Sequence, residues 1–361
     1  MIGFRYEAWD EELARKMRRF ATLLALFHHL LLQRNGDVEE ALRMMRRLQE
    51  HGYLDPDADI DEFARSLQES KIVSLQKGIP KLTARGERFV RREALNQIFT
   101  NLKKGAVGEH RTPHAGDGGE RLPETRPWEF GDDLAGLDLQ TTMHNTLRRT
   151  GADLSLAERD FELYESEHST SCATVLMVDV SHSMILYGED RITPAKKVAL
   201  ALTELIRTRY PKDTLQVVLF GDDAMEVKPE ELPYIGAGPF HTNTRAGLQL
   251  AQKLLARKKL PNRQIFMITD GKASAITEDG RIYKNPFGMD PKIVAMTLEE
   301  AAHCRRNRIV ITTFMLTDDP TLVAFVDKLT KVNRGRAFYS TPDDLGSAVF
   351  VDYLRNRRRK M

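Results

Sequence analysis

Apolar and polar positions change their period along this chain, and the changes divide it. Leu13, Met17, Phe20, Leu24, Phe27 and Leu31 recur at alternating spacings of four and three, which puts them on one stripe of a helix. Asp10 is placed to cap that helix and Asn35-Gly36 to stop it. A second helix is predicted from Asp37, with Glu40 positioned for a capping box, to near Gly52. Its apolar face is Val38, Ala41, Leu42, Met45 and Leu48. A third helix runs from about Asp61 through Phe63 and Leu67. A fourth runs from about Thr83 to Leu102, with Phe89, Ile98 and Phe99 among its apolar positions. Residues 1–104 therefore read as a helical N-terminal domain.

Between 105 and 170 the periodicity breaks. Gly105, Gly108, Gly116, Gly118, Gly119 and Gly131, with Pro113, Pro123 and Pro127, give the segment the character of a linker. A short helix around Leu137 to Arg149 follows, and Phe161 to Glu165 alternates as an edge strand does.

From 171 to 361, short apolar runs alternate with helices. Thr174 to Val180 is nearly continuous, as in a strand buried on both faces. Thr193-Pro194 is expected to cap and open a helix to about Tyr210. Strands follow at Leu215 to Phe220, Ala224 to Val227, Gln264 to Thr269, Ile309 to Met315 and Ala337 to Tyr339. Helices are expected at Thr244 to Arg257, from Asp290-Pro291, at Pro320 to Leu329 and at Pro342 to Arg355. Asp279-Gly280, between Ile276 and Tyr283, reads as a hairpin turn. This alternation specifies an α/β fold with a doubly wound, mainly parallel, Rossmann-like sheet.

Composition narrows the function. Lys and Arg total 54 against 52 Asp and Glu, a formal charge of +2, so a globally basic surface for nucleic acid is not expected. Leu82-Thr83-Ala84-Arg85-Gly86 has a slight likeness to the start of a winged-helix element, but no clear basic recognition face accompanies it. Two cysteines, Cys172 and Cys304, cannot build a disulfide framework or a cysteine zinc site; they read as small buried residues in a reducing compartment. The most apolar run, Phe20 to Leu32, is interrupted by Thr22, His28 and His29 and is too short to span ~30 Å of hydrocarbon. No signal peptide is read, so a cytoplasmic location without a membrane span is expected. His28 and His29 point about 100° apart on a helix and do not chelate one ion together. His110 and His114 have a helical metal spacing, but Pro113 and the glycines favour a solvated loop.

The sharp chemical signal is Asp179-Val180-Ser181-His182-Ser183 at the end of the first buried strand. A second carboxylate, Asp270, ends another strand in Ile268-Thr269-Asp270-Gly271, and Thr242-Asn243-Thr244 opens a helix between them in sequence. In open parallel sheets, ligands bind outside the carboxyl ends of the strands, so these groups can share one rim. Oxygen donors with several hydroxyls suit a small hard cation, Mg²⁺ first and Mn²⁺ second. His182, between the serines, is expected to turn away from the metal.

This set resembles the metal-ion-dependent adhesion site of von Willebrand factor type A (VWA) domains, whose pattern is Asp-x-Ser-x-Ser, then Thr, then Asp. It corresponds here to Asp179, Ser181, Ser183, Thr242 and Asp270, and the resemblance covers roughly residues 172 to 355. It implies a Mg²⁺-dependent, non-catalytic protein-binding adaptor whose partner donates a carboxylate to the metal. A helical half before such a domain is similar to bacterial VWA proteins that work with AAA+ ATPases of the MoxR and magnesium-chelatase type, which implies an ATPase or its client as partner. No Gly-x-x-x-x-Gly-Lys-Ser/Thr sequence is present, so ATP hydrolysis would belong to that partner. Two other readings stay open: a metal-dependent, phosphatase-like hydrolase in which Asp179 attacks a phosphoryl group, and a metal-chelatase subunit.

Overall fold

The computed structural model describes residues 11–104, 121–128, 137–151, 156–166, 171–238, 240–258, 260, 262–285, 287 and 289–357. The helical stretch holds α1 (Glu11–Gln33), α2 (Val38–Glu50) and α3 (Ile60–Glu69), then an antiparallel hairpin of β1 (Val73–Gln76) and β2 (Ile79–Leu82), then α4 (Ala84–Lys104). Asp37 caps α2, its carboxylate accepting from Glu40 N, and Asp59 caps α3 in the same way from Glu62 N. The hairpin is a departure from the purely helical expectation. Lys77 and Gly78 both take positive φ, which makes a tight two-residue turn between two four-residue runs. The exposed charges of α3 are Asp61, Glu62, Arg65 and Glu69, mostly the wrong sign for a nucleic-acid backbone. The expected cap Asp10 and the pair His110 and His114 lie outside the described residues.

The expected linker is in part structured. β3 (Arg121–Pro127) pairs antiparallel with β4 (Glu162–Ser166), and α5 (Leu139–Thr150) lies between them in sequence. The two prolines in β3 are tolerated because the strand has one neighbour and needs donors on one side alone. Asp138 caps α5, and Arg149 at its far end grips Asp160 with two bonds of 2.9 and 2.6 Å.

The remaining chain forms β5 (Cys172–Asp179), α6 (Ile192–Arg209), β6 (Thr214–Phe220), β7 (Ala224–Val227), α7 (Thr244–Ala256), β8 (Asn262–Thr269), β9 (Ala275–Glu278), β10 (Arg281–Lys284), α8 (Pro291–Arg306), β11 (Ile309–Met315), α9 (Pro320–Asn333), β12 (Arg336–Tyr339) and α10 (Leu345–Arg357). Six strands make one sheet in the order β12-β11-β8-β5-β6-β7, parallel except for the edge strand β7. β9 and β10 pair with each other through Asp279 and Gly280, both at positive φ, and Ile276 faces Tyr283 as expected. One expectation needs correcting: α6 starts at Ile192, and Asp190, not Thr193, supplies the capping oxygen, accepting from Thr193 N at 3.0 Å.

Successive residues of β5 serve two cores. Val175 and Met177 pack among α7, α8 and α9. Leu176 and Val178 face α6 and α10, and that core continues without a break into Phe27, Leu31, Met45, Phe63, Val90 and Ile98 of the N-terminal helices. Buried Lys196 of α6 crosses the junction, donating to Leu32 O, to Asn35 Oδ1 at 3.1 Å and to Ile235 O at 2.8 Å. Cys172 and Cys304 are buried, as expected. Among the described residues no helix is long and apolar enough to cross a membrane.

The two adjacent histidines part company on α1. His29 is exposed, whereas His28 is fully buried and its Nε2 donates to Val90 O of α4 at 3.0 Å. Burial pushes the His28 imidazole down from 6.5 to about 4. The unfolded chain therefore gains a proton at a higher pH than the folded chain, and stability falls as pH drops through that window. We expect a loss of about 2–3 kcal/mol between pH 7 and pH 4.5 from this group. His28→Gln should remove that part of the acid sensitivity in urea unfolding at the two pH values; an unchanged pH slope would contradict it.

Candidate metal centre

β5 ends at a point of reversal in the sheet. The chain leaves β5 for β6 on one side, by way of α6 on one face, while β8 lies on the other side and continues to α8 on the opposite face. Loops diverge there and leave a crevice at the carboxyl ends of the strands. Asp179 is the last residue of β5 and Asp270 follows the last residue of β8, so the two acids stand on neighbouring strands at that crevice.

Each acid is held by its own backbone. Asp179 Oδ1 accepts from Ser181 N at 2.9 Å, and Asp270 Oδ1 accepts from Lys272 N at 3.1 Å. Both are turns in which an aspartate binds the amide two residues on. Gly271 sits at φ 87°, where a side chain would be strained and its Cβ would meet Met315 Cε at 2.9 Å. Ser181 Oγ and Ser183 Oγ are 3.1 Å apart, so the first loop brings two hydroxyls together.

Thr242 reaches the same rim through other bonds. Gly238 N donates to Val180 O and His182 N to Phe240 O, both at 3.0 Å, which ties the Thr242 loop to the serine loop. Asn243 N donates to Gly221 O at 2.7 Å, just beyond the end of β6. Thr242 N donates to Ser274 Oγ at 3.0 Å, and Thr242 O accepts from Ser274 N at 3.0 Å, fastening the loop to the segment after Asp270. Asn243 then caps α7 through Ala246 N.

Asp179, Ser181, Thr242 and Asp270 are each no more than 2% exposed, and Ser183 is half-buried. His182 is exposed. Among the described residues neither carboxylate belongs to an ion pair. Burial, and then the neighbouring Asp270, push the Asp179 carboxyl up to about 7. A buried acid pair in that condition lacks a positive charge. Nor does any group of three or more His, Cys, Asp or Glu among the described residues stand ready to hold a metal. Two carboxylates, two serine hydroxyls and a threonine are hard oxygen donors, and they fit a small divalent cation that would supply the missing charge.

Sequence reasoning missed the residues that support these five. Thr269 Oγ1 donates to Asp179 Oδ2 at 2.6 Å and accepts from Gly271 N at 3.0 Å, linking the two acids' strands. Its signal was its place directly before Asp270. Ser274 and Asn243 carried none beyond proximity to the motif.

The parallel sheet, its order and the acids at its reversal point define a VWA domain, and a family model described as the vWA domain of Rv0959-like proteins matches residues 172–354. The chain belongs to the Rv0959-like family. A second model, the third domain of Rv0959-like proteins, matches residues 120–166, the segment that carries β3, α5 and β4. Uncharacterized protein Rv0959 of Mycobacterium tuberculosis H37Rv is 32% identical over 331 residues, covering 84% of this chain and 49% of its own length. Mb0984 of Mycobacterium bovis, also uncharacterized, gives the same figures. The chain thus spans about half the length of the curated relatives it matches. Among solved structures, a variant of the PilB minor pilin from Streptococcus sanguinis is similar at 12% identity and TM-score 0.47, over 55% of this chain and 64% of that one. The SpRpn10 VWA domain is similar at 16% identity and TM-score 0.37, over 50% of this chain and 94% of that one.

Thr269→Val keeps the side-chain shape but leaves an Asp179 oxygen and the Gly271 amide without their partner. We expect a destabilisation of about 1–3 kcal/mol, with Thr269→Ser close to the parent. Urea unfolding of the three proteins decides it, and a parent-like Thr269→Val would show the link to be dispensable.

Proposed function

We propose that this protein is a Mg²⁺-dependent protein-binding adaptor that uses Asp179, Ser181, Ser183, Thr242 and Asp270 as a metal-ion-dependent adhesion site. The observation that carries this reading is the buried acid pair without a cationic partner, set on one rim with three hydroxyl residues. Asp179 and Asp270 would supply charge to the cation, and the hydroxyls neutral oxygens. When bound, Mg²⁺ (or Mn²⁺) supplies a Lewis-acidic centre of low net charge, able to take a carboxylate from a partner protein. Ile185 and Phe240, exposed on the serine and Thr242 loops, give that partner apolar contact beside the acid.

The partner in this reading is an AAA+ ATPase of the MoxR or magnesium-chelatase type, or its client, in the cytoplasm. The support is the similarity of arrangement, a helical half ahead of a VWA domain, together with the absence of a phosphate-binding Gly-x-x-x-x-Gly-Lys-Ser/Thr sequence from this chain. The adaptor reading is preferred to a hydrolase because Ser181, not a second acid, stands two residues after Asp179, where general acid–base chemistry would want one.

Calorimetry with Mn²⁺ and Mg²⁺ tests the site, and affinity capture with and without chelator tests the partner. Asp179→Ala should lose both metal and partner. Thr242→Ala should keep metal binding within about a factor of ten and capture the partner poorly, because it removes a neutral oxygen and no charge. Unchanged metal binding in an Asp179→Ala, Asp270→Ala double variant would sink the site assignment. Turnover of a phosphate ester that disappears in Asp179→Asn would replace the adaptor with the hydrolase.

A further inference from the structure

The β1–β2 hairpin is anchored at one end and bare at the other. At its base Val73 and Leu82 are buried and belong to the same cluster as Phe63, Leu67 and Val90. Toward its turn, Leu75 is 58% and Ile79 52% exposed. A side chain added at Gly78 would meet nothing within 4 Å among the described residues. The register puts the two aliphatic residues on opposite faces. Leu75 pairs with Pro80 and Gln76 with Ile79, on either side of the Lys77-Gly78 turn, and successive residues of a strand face opposite ways. A hairpin end covered by protein on one face would keep its apolar residues there and show polar ones to water. This end is a wedge, aliphatic on both faces, and it reaches roughly 10 Å beyond the base.

Positive charge surrounds the wedge. Lys77 stands in the turn and Lys81 on β2, with Lys71 and Arg85 flanking the base and Arg88 and Arg92 following on α4. All of these are exposed, and among the described residues none of them is in an ion pair. The only acid between Lys71 and Arg92 is Glu87, whose carboxylate accepts from Tyr234 Oη at 3.1 Å.

We propose that the β1–β2 hairpin attaches this protein to the surface of an anionic phospholipid bilayer. Leu75 and Ile79 enter the boundary between headgroups and acyl chains, and Lys77 and Lys81 meet the lipid phosphates. Aliphatic side chains gain by leaving water for that layer. The lysine stems lie along it with their ammoniums among the headgroups. A nucleic-acid duplex fits less well. It offers the two aliphatic side chains no apolar layer, and its groove would draw in α3, which carries Asp61, Glu62 and Glu69. A flat surface meets the tip first. A second copy of the chain, paired hairpin to hairpin, would set like charges against each other. Attachment of this kind is peripheral and needs no spanning helix. The hairpin contributes no residue to the adhesion site, so the proposal stands apart from that reading.

Co-sedimentation of the full chain with vesicles tests this, using equimolar phosphatidylglycerol and phosphatidylcholine against phosphatidylcholine alone. Binding to the anionic vesicles is expected, weakened by added sodium chloride and absent on the neutral ones. Leu75→Ser with Ile79→Ser should weaken it about tenfold or more, and Lys77→Glu with Lys81→Glu by about as much. All four side chains are exposed, so both double variants should keep the parent's urea midpoint, which separates lost binding from lost folding. No binding to the anionic vesicles, or binding unchanged in either double variant, overturns the proposal. A chain that ignores the vesicles and binds a DNA duplex through Lys77 and Lys81 assigns the hairpin to nucleic acid and overturns it as well.

Discussion

Helix α6 must be covered around most of its circumference, and much of the molecule follows from that. Twelve of its residues are buried, from Ile192 to Ile206, and a helix buried around most of its circumference is stable only inside a core. The sheet covers one side of it. The other side is covered by α1, α4 and α10, whose Phe27, Val90, Ile98, Val349 and Phe350 belong to the same cluster as Leu176 and Val178 of β5. Arg91 of α4 is itself buried and faces Glu204 of α6 at 3.5 Å. In energetic terms the N-terminal helices act as the outer layer of the α/β unit.

That arrangement reaches the candidate metal centre through a short path. The loop that holds Ser181 and Ser183 feeds directly into α6, and Lys196, one turn into α6, clasps the end of α1 and the carbonyl of Ile235. Ile235 in turn precedes Gly238, whose amide binds Val180 O. The serine loop and the Thr242 loop are therefore fastened to the N-terminal half at their bases and to each other at their tips. Rigid support of this kind holds the hydroxyls and carboxylates of the rim in fixed positions.

The legibility of the sequence followed the strength of its local signals. β5 was readable because Cys172 to Asp179 is buried at every position, which leaves an unbroken apolar run. The β9–β10 turn was readable because Asp-Gly is among the pairs that accept positive φ at both places. β1 and β2 were not: Lys77-Gly78 is a weaker turn signal, and exposed Leu75 and Ile79 with Pro80 blur the alternation. β3 hid behind Pro123 and Pro127. The five candidate ligands were legible by motif, whereas Thr269, Ser274 and Asn243 act through pairings between distant segments that no local pattern encodes.

The shared core also sets a timing problem for synthesis. Lys196 bonds to Leu32 across 164 positions, and Tyr353 Oη bonds to Asp213 across 140. The apolar face of α4 is finished off by α10, through pairs such as Phe99 and Phe350. At roughly 5–20 residues per second, a ribosome needs some tens of seconds to pass from one to the other. Throughout that interval the nascent N-terminal helices display a greasy flank with nothing yet made to receive it. Such a chain depends on holding chaperones at the exit tunnel more than a domain of local contacts would, and slower elongation lengthens its exposure to misassembly.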